Sequence, residues 1–155
     1  MSDFGEIERK ILGELQGDGR LTNQELAERV GLSPSACWRR VKALEDDGVI
    51  RRYTAILDPR RAGVGECVFA HVSLERHREA ATEDFARAVM QRPEVLECFA
   101  TTGDADYLMR VVVPTVTAYY EFLESFIFKL PGVSKVHSNF ALHEVKLETA
   151  LPLDL

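Results

Sequence analysis

The stretch SPSACWRRVKALEDDG, Ser33 to Gly48, decides how the first third of the chain is read. Ser33 suits a helix N-cap, and Pro34 suits the first helical position, where its missing N–H costs nothing. Cys37, Val41 and Leu44 follow at i, i+4 and i+7, one apolar stripe. Gly48 supplies a left-handed stop. At 100° per residue Ser35, Arg39 and Lys42 point away from the stripe, with Trp38 and Arg40 on its flanks. Such a helix buries one side and offers a small polar residue and cations on the other. Trp38 has two readings: packing against the first helix or the wing, or contact with sugar and phosphate. Glu45, Asp46 and Asp47 stand at the negative end of the helix dipole, a locally unfavourable place.

Working outward, Thr22 with Glu25 three residues later forms a capping box for TNQELAERV, whose inner residues are Leu26, Ala27 and Val30. Gly31-Leu32 links the two helices. Two short helices joined by a tight Gly-containing turn, with a small Ala four residues before that Gly, make a helix-turn-helix. The second helix of such a unit enters the DNA major groove. Upstream, Phe4, Ile7, Ile11 and Leu15 form the inner face of a helix from Asp3 to Gln16. Downstream, Val49 to Leu57 reads as a β segment, the wing. Its Arg51 and Arg52 fit either phosphate contact or solvated strand-end charge. Asp58 to Gly65, with one Pro, two Gly and two Arg, reads as a linker.

The charge balance agrees with that division. Net charge is −6, but residues 1–62 hold 11 Lys and Arg against 11 Asp and Glu, and residues 63–155 hold 8 against 14. Within 33–62 the balance is 7 basic to 4 acidic, so a polyanion meets the N-terminal third. No apolar run is long enough to span a membrane, and the N-terminus is no signal peptide. The three Cys suggest no disulfide framework, which makes a cytoplasmic protein the default. His71, His77, His137 and His143 with the three Cys show no metal-ligand spacing. No nucleophile elbow and no phosphate loop is present, so no enzyme and no cofactor are expected.

From Glu66 the pattern changes. Cys67 to Leu74 alternates as a strand, with Val68, Ala70, Val72 and Leu74 on one face. A helix is expected from Glu79 to Gln91, with Ala81, Phe85, Ala88 and Val89 inward. Strands are expected over Val95–Thr102 and Asp106–Val113. A helix over Val116–Leu130 has Tyr119, Leu123, Phe126 and Leu130 inward. A last strand covers Val133–Leu142, with Glu144–Thr149 extending or following it. The order is β-α-β-β-α-β, a ferredoxin-like split βαβ. Helices cover one sheet face, and the open face carries Phe69, His71, Phe99, Leu108 and Val112, an apolar surface suited to a second subunit. Phe128 falls on the outer face of its helix beside Glu121 and Glu124, as a contact between subunits or a singly exposed residue. The fold class is therefore α+β: a winged helix-turn-helix over 1–57, a linker over 58–65 and a βαββαβ domain over 66–155.

The segments LSPSACWRRVKALEDDGVIRRYTAILDP, TTGDADYLMRV and LPGVSKV, in this order and spacing, resemble the Lrp/AsnC (leucine-responsive, feast/famine) transcriptional regulators, from Asp3 to about Leu151. The resemblance implies homodimers joined sheet to sheet through the βαββαβ (RAM, ACT-like) domains. It further implies assembly to octamers or higher, and an amino acid bound between dimers that shifts assembly or DNA affinity. Gly103, Asp104, Ala105, Asp106 and Tyr107 stand where the family's Gly-x-x-Asp effector loop lies. A Gly turn can aim backbone N–H groups at an α-carboxylate, and Asp104 or Asp106 can pair with an α-ammonium. An ordinary hairpin turn is the alternative. The candidate DNA-binding residues are Ser33, Ser35, Ala36, Arg39, Arg40, Lys42, Arg51 and Arg52. Of these, Ser35, Ala36 and Arg39 would reach bases in double-stranded DNA, and Arg40, Lys42, Arg51 and Arg52 would hold phosphates. A competing class is a small-molecule-binding regulatory subunit that acts by protein contact.

Overall fold

The computed structural model describes residues 4–75 and 79–153. The expected helix start at Asp3, His77 and the inward side chain of Ala81 lie outside the described residues. The chain forms two compact units, Met1–Ile56 with Lys146–Leu155, and Leu57–Val145.

In the first unit α1 (Glu6–Gly17), α2 (Asn23–Val30) and α3 (Pro34–Asp46) enclose Ile11, Leu12, Leu26, Ala27, Val30, Cys37 and Leu44. The capping box forms in full: Thr22 Oγ1 accepts from the Glu25 N–H, and the Glu25 carboxylate accepts from the Thr22 N–H at 2.8 Å. These bonds place the Glu25 carboxyl below the usual carboxylate range, the Thr22 N–H being the largest cause. Gly31 takes φ 73°, a left-handed conformation that costs little only for Gly, and turns the chain from α2 into α3. Gly48 does the same after α3, at φ 71°.

One expectation is corrected in this unit. Val49–Leu57 contains no strand; a strand needs a ladder partner, and this segment has none within the described residues. The C-terminal residues 146–155 group with the first unit. There the Gln16 amide clamps the Leu151 backbone from both sides. Its Nε2 donates to the Leu151 carbonyl at 3.1 Å, and its Oε1 accepts the Leu151 N–H at 2.6 Å. Leu153 packs against the apolar cluster. The segment Glu144–Thr149, expected to extend or follow the last strand, is exposed and forms no strand.

The second unit runs β1 (Glu66–Leu74), α4 (Glu79–Val89), β2 (Val95–Ala100), β3 (Tyr107–Val113), α5 (Val116–Ser125) and β4 (Val133–Phe140). The strands form one antiparallel sheet in the order β2-β3-β1-β4. Alternation along β1 and β3 buries Val68, Ala70, Val72, Met109, Val111 and Val113 beneath the helices, with Phe85, Tyr119, Phe122 and Ile127 above them. The helix expected to reach Leu130 breaks at Phe126 (φ −126°, ψ −70°), and a 3₁₀ turn over Ile127–Lys129 follows. The break lets Ile127 into the core, while Phe126 lies partly buried under the Arg92 guanidinium, 4.6 Å from its ring centre.

The open face of the sheet follows from the strand register. His71 stands opposite both Leu108 and His137, Phe69 opposite Arg110 and Asn139, and Phe99 opposite Leu108. Phe69 and Phe99 are exposed, as is Phe128 on the helix side.

Candidate functional site

The helix-turn-helix presents its candidate residues unequally. Ser33 caps α3, its Oγ accepting the Ala36 N–H at 3.3 Å, and lies 3.4 Å from the Ser35 hydroxyl. Asn23 Nδ2, at the start of α2, donates to the Pro34 carbonyl at 2.8 Å and so fixes the two helices where the turn meets α3. Cys37 and Leu44 are buried, which turns Ser35, Arg39 and Lys42 outward. Arg39 has no ion-pair partner among the described residues.

Arg40 is different. Its guanidinium is paired with Glu8 on α1, so it braces two helices. Lys42 reaches down its own helix to Asp46 at 2.8 Å, which raises its pKa above the usual lysine value, and it lies 3.8 Å from Glu45. Glu45 in turn accepts from the Tyr53 hydroxyl at 3.1 Å. Two of the acids at the helix end, Glu45 and Asp46, therefore have partners. Arg51 and Arg52 are exposed, with no ion pair among the described residues.

In the second unit a concavity of about 530 Å³ opens on the sheet face, walled by His71, Ser73, Leu108, Lys135, His137 and Asn139, with Thr101, Thr102, Asp104 and Ala105 from the β2–β3 connection. Gly103 adopts φ 119° with open space around it, the freedom the turn needs. Thr101 pins the turn, its N–H donating to the Asp106 carbonyl at 2.9 Å and its hydroxyl to the Ala105 carbonyl at 3.0 Å. Asp106 ties the loop to β1: its N–H donates to the Val72 carbonyl at 3.0 Å, and its Oδ2 accepts the Leu74 N–H at 2.7 Å.

The five loop residues singled out from sequence thus separate. Asp104 and Ala105 line the concavity; Gly103 supplies the left-handed turn beside them. Asp106 is an anchor. Tyr107 turns its ring to Phe85, 4.7 Å between centres, and burial pushes its hydroxyl pKa up. Sequence reading missed Thr101, Thr102, Lys135 and His137 as wall residues. Lys135 and His137 are brought to the loop by the β1–β4 register, which no local signal reports. Among the described residues no group of three or more His, Cys, Asp or Glu could hold a metal, and no helix is long and apolar enough to cross a membrane.

Comparison with known proteins adds the following. The family model described as Lrp/AsnC ligand binding domain matches residues 67–151, and that described as winged helix-turn-helix DNA-binding matches residues 5–51. The leucine-responsive regulatory proteins of Escherichia coli K12 and Salmonella typhimurium are each 41% identical over 149 residues, covering 96% of this chain and 91% of theirs. Among solved structures, a transcriptional regulator of Neisseria meningitidis in complex with L-Met superposes with TM-score 0.92 at 44% identity, over 97% of both chains. An AsnC family transcriptional regulator of Agrobacterium tumefaciens gives 0.91 at 42% identity, over 97% of this chain and 98% of that one.

Proposed function

The chain belongs to the Lrp/AsnC family of transcriptional regulators, and from that premise we propose that it is a sequence-specific DNA-binding regulator, not an enzyme, whose assembly or DNA affinity responds to an amino acid. The observation that carries the proposal is the outward face of α3, where Ser35 and Arg39 are exposed while the opposite side is locked into the helical core. An α-helix presented in this way enters the major groove with its N-terminal residues at base edges. Ser35, Ala36 and Arg39 read bases, Arg39 pairing bidentately with guanine. Lys42, Arg51 and Arg52 hold phosphates. Ser33 acts through its cap on α3. Arg40, paired with Glu8, serves as a strut more than a phosphate contact.

The effector occupies the concavity between the β2–β3 connection and the ends of β1 and β4. A zwitterionic amino acid needs one cation, one anion and a lining for its side chain. Lys135 and Asp104 supply the charges, and Leu108 with the His71 and His137 rings supplies the lining. The N. meningitidis relative, solved with L-Met, makes an apolar amino acid the first ligand class to try. The open sheet face, with Phe69 and Phe99 exposed, is covered by a second copy to give a homodimer, and dimers assemble further to an octamer or higher form. The protein acts in the cytoplasm, where its DNA lies.

Light scattering of the purified chain with each common amino acid in turn tests the effector reading. A mass at a multiple of the dimer that changes with one or a few amino acids supports it and names the effector. If no amino acid changes either the mass or the affinity for DNA, the effector reading is refuted. DNA binding is tested separately by salt: affinity should fall steeply with ionic strength as counterions are displaced.

A further inference from the structure

We infer that Trp38 is a specificity-determining DNA contact, its indole packing on the 5-methyl group of a thymine at the edge of the major groove. The inference rests on the DNA-binding reading and adds a residue to it.

The argument starts from exposure. Trp38 is one residue from buried Cys37, yet 58% of it is exposed. Neither intramolecular reading of this side chain shields it. Together with Tyr53, Leu21 and Lys42 it walls an open groove of about 290 Å³. Among the described residues its ring makes no aromatic contact, and its indole N–H finds no acceptor. A large aromatic left so open on a short helix loses most of the burial that normally favours it.

Position on the helix supplies the second step. Trp38 lies on the side of α3 that looks along the N-terminus of α2, since Asn23 and Leu26 share its groove. Its neighbours on the exposed surface are Ser35, Arg39 and Lys42. In a helix-turn-helix the first helix crosses the backbone and the second reads the groove. Trp38 therefore stands at the boundary between base-reading and backbone-holding surfaces. Around it stand Arg39, Lys42 and the Ser35 hydroxyl, and Glu45, which shares its groove, is engaged by the Tyr53 hydroxyl and lies 3.8 Å from Lys42, so the surroundings disfavour an apolar protein partner and suit a polyanion. The apolar feature that a duplex displays at base level in the major groove is the thymine methyl. Arg40, on the opposite flank of the same helix, is tied across to Glu8 on α1, whereas Lys42 pairs only along its own exposed helix surface, with Asp46 and Glu45; the face offered to DNA is Ser35, Trp38, Arg39 and Lys42.

The test uses the full chain and a duplex that it enriches from a randomised library. Trp38 is the only Trp in the protein, so its fluorescence reports on this contact alone. On saturation with that duplex, Trp38 emission should change and become protected from acrylamide. Replacing thymines one at a time with deoxyuridine should reveal one position per half-site where loss of the methyl weakens binding about fourfold, equal to the ~0.8 kcal/mol of one buried methylene-sized group. Trp38→Ala should bind the thymine duplex more weakly and be indifferent to that thymine-to-deoxyuridine change. Trp38→Phe should keep part of the discrimination, and far-UV circular dichroism should show both variants folded. Three results overturn the inference: unchanged acrylamide access at saturation; full methyl discrimination in Trp38→Ala; or equal loss by that variant on thymine, deoxyuridine and random duplexes, which makes Trp38 a backbone contact. A wild-type chain that enriches no duplex would instead defeat the DNA-binding reading itself.

Discussion

Asp106 and Asp104 sit two residues apart in one turn, and the proposed effector reading gives them opposite jobs that a pair of substitutions separates. The Asp106 carboxylate accepts the Leu74 N–H at 2.7 Å and so continues the β1–β3 ladder one rung past its last backbone pair. Asp106→Ala removes the acceptor and leaves that amide to water or to nothing. A net hydrogen bond of this kind is worth about 1 kcal/mol. In a unit of this size that lowers the melting temperature by about 4–8 °C. Asp106→Asn keeps an oxygen acceptor and should melt close to the wild type. Asp104 has no side-chain bond among the described residues and lines the concavity, so Asp104→Asn should leave the melting temperature unchanged while weakening the amino-acid response. Thermal unfolding followed by circular dichroism, with and without the effector amino acid, measures both effects on the same samples. An Asp106→Ala chain that melts at the wild-type temperature refutes the anchor. If Asp106→Asn loses the effector response while Asp104→Asn keeps it, the two roles have been assigned the wrong way round.

Other perturbations have equally definite outcomes. Arg39→Ala should cost roughly 1–3 kcal/mol at the cognate duplex and relax specificity there, whereas Arg40→Ala, losing its Glu8 strut, should lower stability more than it lowers DNA affinity; anisotropy titrations on cognate and random DNA, beside melting curves, distinguish them. Gln16→Ala removes both bonds to the Leu151 backbone and should speed hydrogen exchange at the Leu151 amide, a change that will be absent if the tail is held elsewhere. Glu25, with its carboxyl held below the ordinary value of 4.5, stabilises α2 at any pH above that value; its contribution fades as pH falls through the lower folded value. Glu25→Gln should flatten the acid limb of the stability profile, and an unchanged limb would contradict the capping-box account.

Local chemistry wrote most of the first unit into the sequence. The Thr22–Glu25 box, the Ser33 cap, Pro34 and the two glycines at Gly31 and Gly48 each act within a few residues, and each forms as its residue types require. The second unit was legible where alternation is strong, as in Cys67–Leu74 and Tyr107–Val113. It was less legible where tertiary packing overrides period. Continuing the 3.6-residue stripe of α5 puts Phe126 in the core, but the core takes Phe122 and Ile127, and the helix breaks at Phe126 to deliver Ile127. The segment after Gly48 has strand composition, Val49-Ile50 and Tyr53-Thr54, without a neighbour to pair with among the described residues. Composition cannot announce a missing partner.

The candidate sites divide along the same line. Arg39 and Arg40 are adjacent and identical in type, and the helical wheel distinguishes them only as outward face and flank; what ties Arg40 down is Glu8, 32 residues away, on a helix whose crossing angle no local pattern encodes. Lys135 and His137 became visible as pocket residues only once β4 was placed beside β1 in a register that sets His137 opposite His71. A one-residue slip of that register would turn both side chains under the helices and leave Val136 and Ser138 at the pocket. The register is held because Val136 and Phe140 pack against the helix-side core, and because the Ser138 hydroxyl lies 2.6 Å from that of buried Tyr119. The chemistry of the open face is therefore fixed by apolar contacts on the opposite face. A substitution such as Val136→Asp, which touches no pocket residue, should abolish the effector response by releasing the register that brings Lys135 to the loop.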